Sequence, residues 1–165
     1  MIKLTIIIPV YNEIKTIEKL IKKILKINIK KQLIIVDDGS SDGTELILKK
    51  YKSRIDKLIF HKKNLGKGAA IKSGQKYVSG QYIGIQDADL EYDPRDLKKI
   101  VNEMDKRDLQ VMYGSRVLKK NKFKNTQNFT HIVRIWGNIF LTKASNFLNK
   151  QKLTDAHTCY KIFDS

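Results

Sequence analysis

The chain has a single cysteine, Cys159, so no intrachain disulfide can form, and a reducing compartment is the expectation. No apolar run approaches the ~20 residues that a membrane-spanning helix needs. The opening MIKLTIIIPV lacks the charged and small-residue flanks of a signal peptide, and a cytoplasmic location is the default expectation. His61, His131 and His157 show no zinc-ligand spacing with Cys159 and read as ordinary loop or helix histidines.

Acidic residues are scarce, with 17 Asp and Glu against 33 Lys and Arg, a formal net charge of +16. From Leu109 to Thr154 there is no acidic residue, while nine basic ones fall there: Arg116, Lys119, Lys120, Lys122, Lys124, Arg134, Lys143, Lys150 and Lys152. A block of one sign attracts anionic head groups, phosphorylated substrates or nucleic acid. A lysine bias at helical surface positions would give the same total with no functional meaning. The block has neither the aromatic spacing of single-strand binders nor a helix-turn-helix or zinc pattern, so nucleic acid is not an expected partner.

What is present is a repeating alternation. With 165 residues, 41% hydrophobic and 30% charged, the chain suits one globular domain with a real core. Leu4–Val10 and Leu33–Val36 are short β-branched runs, which predicts strands buried on both faces. Glu13–Lys26 places Ile14, Ile17, Leu20, Ile21, Ile24 and Leu25 at three- and four-residue steps, an amphipathic helix. Asp42 with Glu45 resembles a capping box, and Leu46, Ile47 and Tyr51 would give the next helix its inner face.

Further strands are expected at Lys57–Phe60, Tyr82–Ile85 and Gln110–Tyr113, with helices over about 69–78 and from Asp93-Pro94 onward. Lys119–Gln127 reads as a loop. A long helix over about 131–148 carries Trp136 and a broad apolar stripe, open to two readings, core packing or a membrane interface. Ile162 and Phe163 start a strand or helix with nothing after it, and the chain is expected to be a fragment of a longer protein. The pattern predicts an α/β fold, an open and mostly parallel sheet with helices on both faces. Ligands bind such sheets beyond the carboxyl ends of the strands. The loops Pro9–Glu13, Asp37–Thr44, Asp87–Glu91 and Gly114–Arg116 all belong to that edge.

Carboxylates crowd one of these loops. In YIGIQDADLEYDP, Asp87, Asp89, Glu91 and Asp93 follow a buried strand, and burying even one unpaired charge is costly, so a cation should sit among them. Oxygen-only ligation suits Mg²⁺ or Mn²⁺, sharing its remaining positions with water and phosphate. A solvated acidic loop ending in the Asp93-Pro94 helix start is the bland alternative. Asn64-Leu65-Gly66-Lys67-Gly68 is not a Walker loop, since His61 stands where a glycine is required and Gly68 where Ser or Thr is. It reads as a tight turn into a helix N-terminus, which would put Lys67 near the diphosphate if the ligand is a nucleotide diphosphate.

Taken together, IIIPVYNE, IIVDDGSSDGT, NLGKGAAIKSG, QDADLEYDP and GSR, in this order from Ile6 to Arg116, resemble glycosyltransferase family 2, and within it the polyprenyl-phosphate mannose or glucose synthases. The resemblance implies the A-type glycosyltransferase fold and an inverting hexose transfer from a nucleotide sugar with Mg²⁺ or Mn²⁺. Residues 1–116 would be the nucleotide-sugar half of a single domain and 117–165 an incomplete acceptor half. By position, Pro9, Tyr11, Glu13, Val36 and Asp38 would hold the nucleoside. Asp87, Ala88 and Asp89 would meet the ribose, diphosphate and metal, with Glu91 as a third metal ligand. Arg116 and Arg134 would contact donor or acceptor phosphate.

TDAHTCYK at Thr154–Lys161 departs from the family's usual Gly-Phe at Cys159-Tyr160. Asp155 would be a base toward a hydroxyl acceptor; a phosphate acceptor needs little deprotonation. The implied partners are a nucleotide-sugar donor, a polyprenyl-phosphate or glycan acceptor and peripheral contact with the inner face of the cell membrane. A nucleotidyltransferase, the other enzyme reading of this fold class, needs a Gly-rich basic signature that PVYNEIKT lacks. An inactive fragment of the transferase fold is a further alternative.

Overall fold

A computed structural model describes residues 1–115, 129–150, 152–156, 158 and 160–165, and for 129–135 the backbone alone. The chain divides into two compact units, Met1–Met112 with Ile162–Ser165, and Tyr113–Lys161.

The first unit is built on β1 (Leu4–Val10), β2 (Lys31–Asp37), β3 (Lys57–Phe60) and β4 (Tyr82–Ile85), which are mutually parallel. With β5 (Val111–Tyr113) and β6 (Lys161–Asp164) they form a six-stranded sheet in the order β3-β2-β1-β4-β6-β5. β6 runs antiparallel to β4, pairing Ile162 with Gly84. The segment at Ile162-Phe163 is therefore a strand placed between two strands that precede it in sequence, a long-range pairing that local periodicity does not encode.

Helices cover both faces of this sheet. On one, α3 (Lys67–Gln75) lays Ala70 on Ile7, Ile34 and Val36, and its Gly74 lies so close that an added Cβ would stand 3.0 Å from Ile7. On the other, α4 (Arg95–Arg107) brings Leu97 over Gly84, beside Leu4 and Ile162, and buries Leu97, Ile100, Val101 and Met104 as the spacing predicts. Burial of β-branched side chains on both faces of β1 and β2 supplies the dominant stabilising term.

Several local expectations are corrected. α1 runs over Ile17–Leu25 and does not begin at Glu13; Ile14 is 40% exposed. α2 (Thr44–Lys50) buries Thr44 and Leu48, whereas Leu46 is 65% exposed. No capping box forms, because Asp42 accepts from Thr44 while Glu45 pairs outward with Lys49.

The second unit contains α5 (Phe129–Asn149). Trp136, Phe140, Phe147 and Leu148 are exposed at 68%, 70%, 85% and 77%, so these members of the stripe are not core within the unit. Asn146 fixes the following turn by two bonds to Leu153, and Thr142 accepts from the Ala156 N–H. No helix among the described residues is long and apolar enough to cross a membrane.

Candidate functional site

Because β1 to β4 are parallel, their following loops gather at one edge. The chain passes from β1 outward to β2 and β3 and then returns to the other side of β1 for β4, a reversal that opens a crevice beyond β1 and β4. A cavity of about 320 Å³ occupies it, lined by Pro9, Val10, Tyr11, Glu13, Asp38, Asn64, Gly66, Lys67, Asp87, Ala88 and Asp89. That volume lies at the lower end of the range for small-molecule sites.

The loop after β1 is held by the loop after β2. Asn12, at φ +54°, donates its N–H to Ser40 Oγ and accepts from the Ser41 N–H through its side-chain oxygen. Glu13 N–H donates to Thr44 Oγ1 at 2.9 Å, and Ile14 N–H to Asp42 at 3.0 Å. These contacts explain the late start of α1: residues 12–14 give their N–H groups to a neighbouring loop before the helix begins. The Glu13 carboxylate accepts from Thr16 Oγ1.

Asp38 is held at three points. It is 2% exposed, and its Oδ1 accepts from His61 Nδ1 at 2.6 Å and from the Leu65 N–H at 3.0 Å. Its Oδ2 accepts from the Gly66 N–H at 2.7 Å. Burial works against ionisation, but the His61 bond and the two backbone N–H groups outweigh it, and the Asp38 pKa is lowered. Gly39 at φ +77° lets this loop press on the next one; a Cβ there would stand 2.6 Å from the Lys63 carbonyl carbon. Gly66, at φ +90°, makes the tight turn into α3.

The acidic loop after β4 is organised differently. Asp87 pairs with Lys67 at 2.5 Å, its side chain 15% exposed and that of the lysine 50%. Asp89 is exposed, and its Oδ1 accepts the Glu91 N–H. Asp93 pairs with Arg95, whose hydrogen bonds hold its pKa down to about 2, and it accepts the N–H of Arg95, the first residue of α4.

Eight of the predicted residues, Pro9, Tyr11, Glu13, Asp38, Lys67, Asp87, Ala88 and Asp89, thus line one cavity. Val36 does not; its side chain is fully buried against Ile7, Ile34 and Ala70. Glu91 is exposed and absent from the lining, and no three His, Cys, Asp or Glu side chains among the described residues form a metal-sized cluster. The expected trio of Asp87, Asp89 and Glu91 is not assembled: Asp87 turns to Lys67, while Glu91 offers Asp89 its backbone N–H. Asp155 belongs to the second unit, 1% exposed, with Asn138 Nδ2 donating to it at 3.3 Å. Arg116 and the Arg134 side chain lie outside the described residues.

Sequence reasoning missed Asn64 and Gly66 in the cavity wall and His61 behind it. The signal for His61 was its place directly after β3, at the ligand edge.

The fold recurs in solved structures. A mannosyltransferase from Pyrobaculum calidifontis, in complex with GDP-Man and Mn²⁺, superposes at a TM-score of 0.68 and 20% identity over 98% of this chain and 44% of its own. S. aureus TarS 1-349 with UDP-GlcNAc gives 0.63 and 21%, over 98% and 45%. These likenesses show the A-type glycosyltransferase fold.

In sequence, a dodecaprenyl-phosphate galacturonate synthase of Rhizobium johnstonii is 29% identical over 127 residues, 73% of this chain and 38% of that protein. An undecaprenyl-phosphate 4-deoxy-4-formamido-L-arabinose transferase of Salmonella choleraesuis is 32% identical over 110 residues, 62% and 34% respectively. The chain spans 34% to 63% of the curated relatives it matches. Over residues 5–165 it matches the glycosyl transferase family 2 model, and so the fold, the ordered loops and the family match agree: the chain belongs to glycosyl transferase family 2.

Proposed function

We propose that the chain forms the donor-binding part of an inverting, metal-dependent glycosyltransferase. It would move a hexose from a nucleotide sugar of the GDP-mannose or UDP-glucose type to polyprenyl phosphate or a related cell-envelope glycan precursor. The observation that carries this reading is the cavity beyond β1 and β4, with a hydrogen-bonded carboxylate at one end and two more, Asp87 and Asp89, at the other. The named activities of the relatives, polyprenyl-phosphate sugar transfer, support the acceptor class.

Pro9, Tyr11, Glu13 and Asp38 hold the nucleoside in this reading, with Val36 supporting them from the core. Asp87, Ala88 and Asp89 meet the ribose and diphosphate, and Lys67, already beside Asp87, adds positive charge at the diphosphate. The donor set fits a hard divalent cation: Asp87 and Asp89 present only carboxylate oxygens, and Asp89 is open to solvent. The two would hold Mg²⁺ or Mn²⁺, which supplies Lewis-acid stabilisation to the departing diphosphate.

Inversion follows from a single displacement. An acceptor oxygen attacks the anomeric carbon on the face opposite the diphosphate; one C–O bond forms as the other breaks, and the electron pair leaves with the diphosphate. A phosphate acceptor is already a nucleophile, so Asp155 has a role as base only toward a hydroxyl. Arg116 and Arg134 are the proposed phosphate contacts. The exposed Trp136, Phe140, Phe147 and Leu148 of α5 support contact with a membrane surface, where a polyprenyl acceptor resides.

The test is a screen of GDP- and UDP-sugars with Mg²⁺ or Mn²⁺, with and without polyprenyl phosphate, read out by nucleoside diphosphate release. Release that needs both the metal and the acceptor is expected. Turnover undiminished by a chelator would sink the metal-dependent reading.

A further inference from the structure

We infer that the cavity takes a base offering Asp38 a single N–H donor, as uracil does, in preference to guanine, because His61 occupies the acceptor capacity that guanine would need. The inference rests on the proposal that this cavity holds a nucleotide with its base at Asp38.

A carboxylate has about four lone-pair directions, two on each oxygen. On Asp38, His61 Nδ1 and the Leu65 N–H take both directions of Oδ1, at 2.6 and 3.0 Å. The Gly66 N–H takes one of those on Oδ2, at 2.7 Å. One direction remains, on Oδ2, and Asp38 lines the cavity. His61 is fixed at three points: its backbone N–H donates to the Asp37 carbonyl at 2.8 Å, Nδ1 faces Asp38, and Nε2 lies 2.9 Å from Ser73 Oγ in α3. Its side chain is 10% exposed, so swinging it aside would cost buried hydrogen bonds without water to replace them. An ionised carboxylate can only accept, and Nδ1 therefore carries the proton of that pair.

The two candidate bases differ at the edge such a group reads. Uracil offers one donor, N3–H, between two carbonyl oxygens. Guanine offers N1–H and an N2 amino group side by side, which match a carboxylate with one open direction on each oxygen. With Oδ1 full, one guanine donor would be buried unpaired, and sites of this kind discriminate strongly against ligands that leave a polar group unsatisfied.

The experiment is isothermal titration calorimetry of the chain with UDP and with GDP, each in the presence of Mn²⁺. UDP is expected to bind roughly tenfold or more tightly than GDP. GDP binding as tightly as UDP overturns the inference while leaving the nucleotide cavity standing. Binding of neither overturns the nucleotide reading itself and this inference with it. His61→Phe, which keeps a ring but frees Oδ1, should narrow the UDP-to-GDP gap by about threefold or more, and His61→Asn, which retains a donor, should preserve it. Equal losses of both nucleotides in His61→Phe, with circular dichroism unchanged, would show a merely structural histidine. If His61→Phe does not fold, the ratio measured on the unsubstituted chain decides.

Discussion

The two ends of the cavity carry carboxylates in similar sequence settings, Asp-Asp-Gly after β2 and Asp-Ala-Asp after β4, yet they are built in opposite ways. At the first, the protein supplies the partners: Asp38 accepts from one imidazole and two backbone N–H groups, and Asp42 from Ile14 and Thr44. At the second, Asp87 has a half-exposed lysine and Asp89 faces solvent. An acidic cluster in a sequence is thus either structural glue or a site left open for a ligand's charge. What separates them is how many backbone N–H groups the next loop brings, and this follows from the approach of β3–α3 to β2–α2, not from the acidic residues themselves.

The sharpest way to break the contrast is substitution at each end. Asp89→Ala should lower nucleotide-sugar turnover by about a thousandfold or more in a full-length enzyme, since an ion's charge stabilisation is worth several kcal/mol. Its unfolding free energy in urea should stay within about 0.5 kcal/mol of the parent, because the side chain is exposed. A large drop in stability would mean that Asp89 too is structural. Asp38→Ala should cost about 2–4 kcal/mol in urea unfolding, as His61 and the Leu65 N–H lose their acceptor; the Gly66 N–H keeps Asn64 at 2.9 Å.

Gly39→Ala tests whether the approach of the two loops is the cause. The new Cβ would meet backbone atoms of Lys63 and Asn64 at 2.6 to 2.8 Å, at a φ of +77° that alanine resists. A loss of about 2 kcal/mol or more is expected, together with weaker nucleotide binding through displacement of Asn64 and Gly66 from the wall. Unchanged stability would separate the loop contact from the Asp38 geometry.

The strands were legible because β-branched runs buried on two faces have few other structures to adopt, and the ligand edge followed from parallel order alone. Three features were not. Ile14 fits a helical apolar pattern, but the N–H groups of Glu13 and Ile14 are taken by Thr44 and Asp42, partners distant in sequence. In α2, two overlapping apolar faces fit the spacing, and packing beside α1 leaves Leu48 buried and Leu46 exposed. His61 looked like a loop histidine because nothing local reveals that Asp38 and Ser73 bracket it. Each miss is a long-range hydrogen bond or packing choice overriding a local pattern.

Acidification gives the mildest probe, and its sign can be worked out. Asp38 and Asp42 both have pKa values lowered in the folded chain, below the ordinary 3.8. A lowered folded-state value means that the unfolded chain binds protons first as pH falls. The stabilisation these two groups provide is therefore complete above about pH 5 and is lost as pH drops through 3.8 toward their folded values. Unfolding midpoints in urea measured from pH 6 down to pH 3 should fall steadily at the acid end, and Asp38→Asn should flatten part of that slope. Asp42→Asn, which removes the ionised acceptor of the Ile14 and Thr44 N–H groups, should flatten a further part. A slope that neither substitution changes would mean that the hydrogen bonds to these two carboxylates contribute nothing to holding the loop after β2 in place.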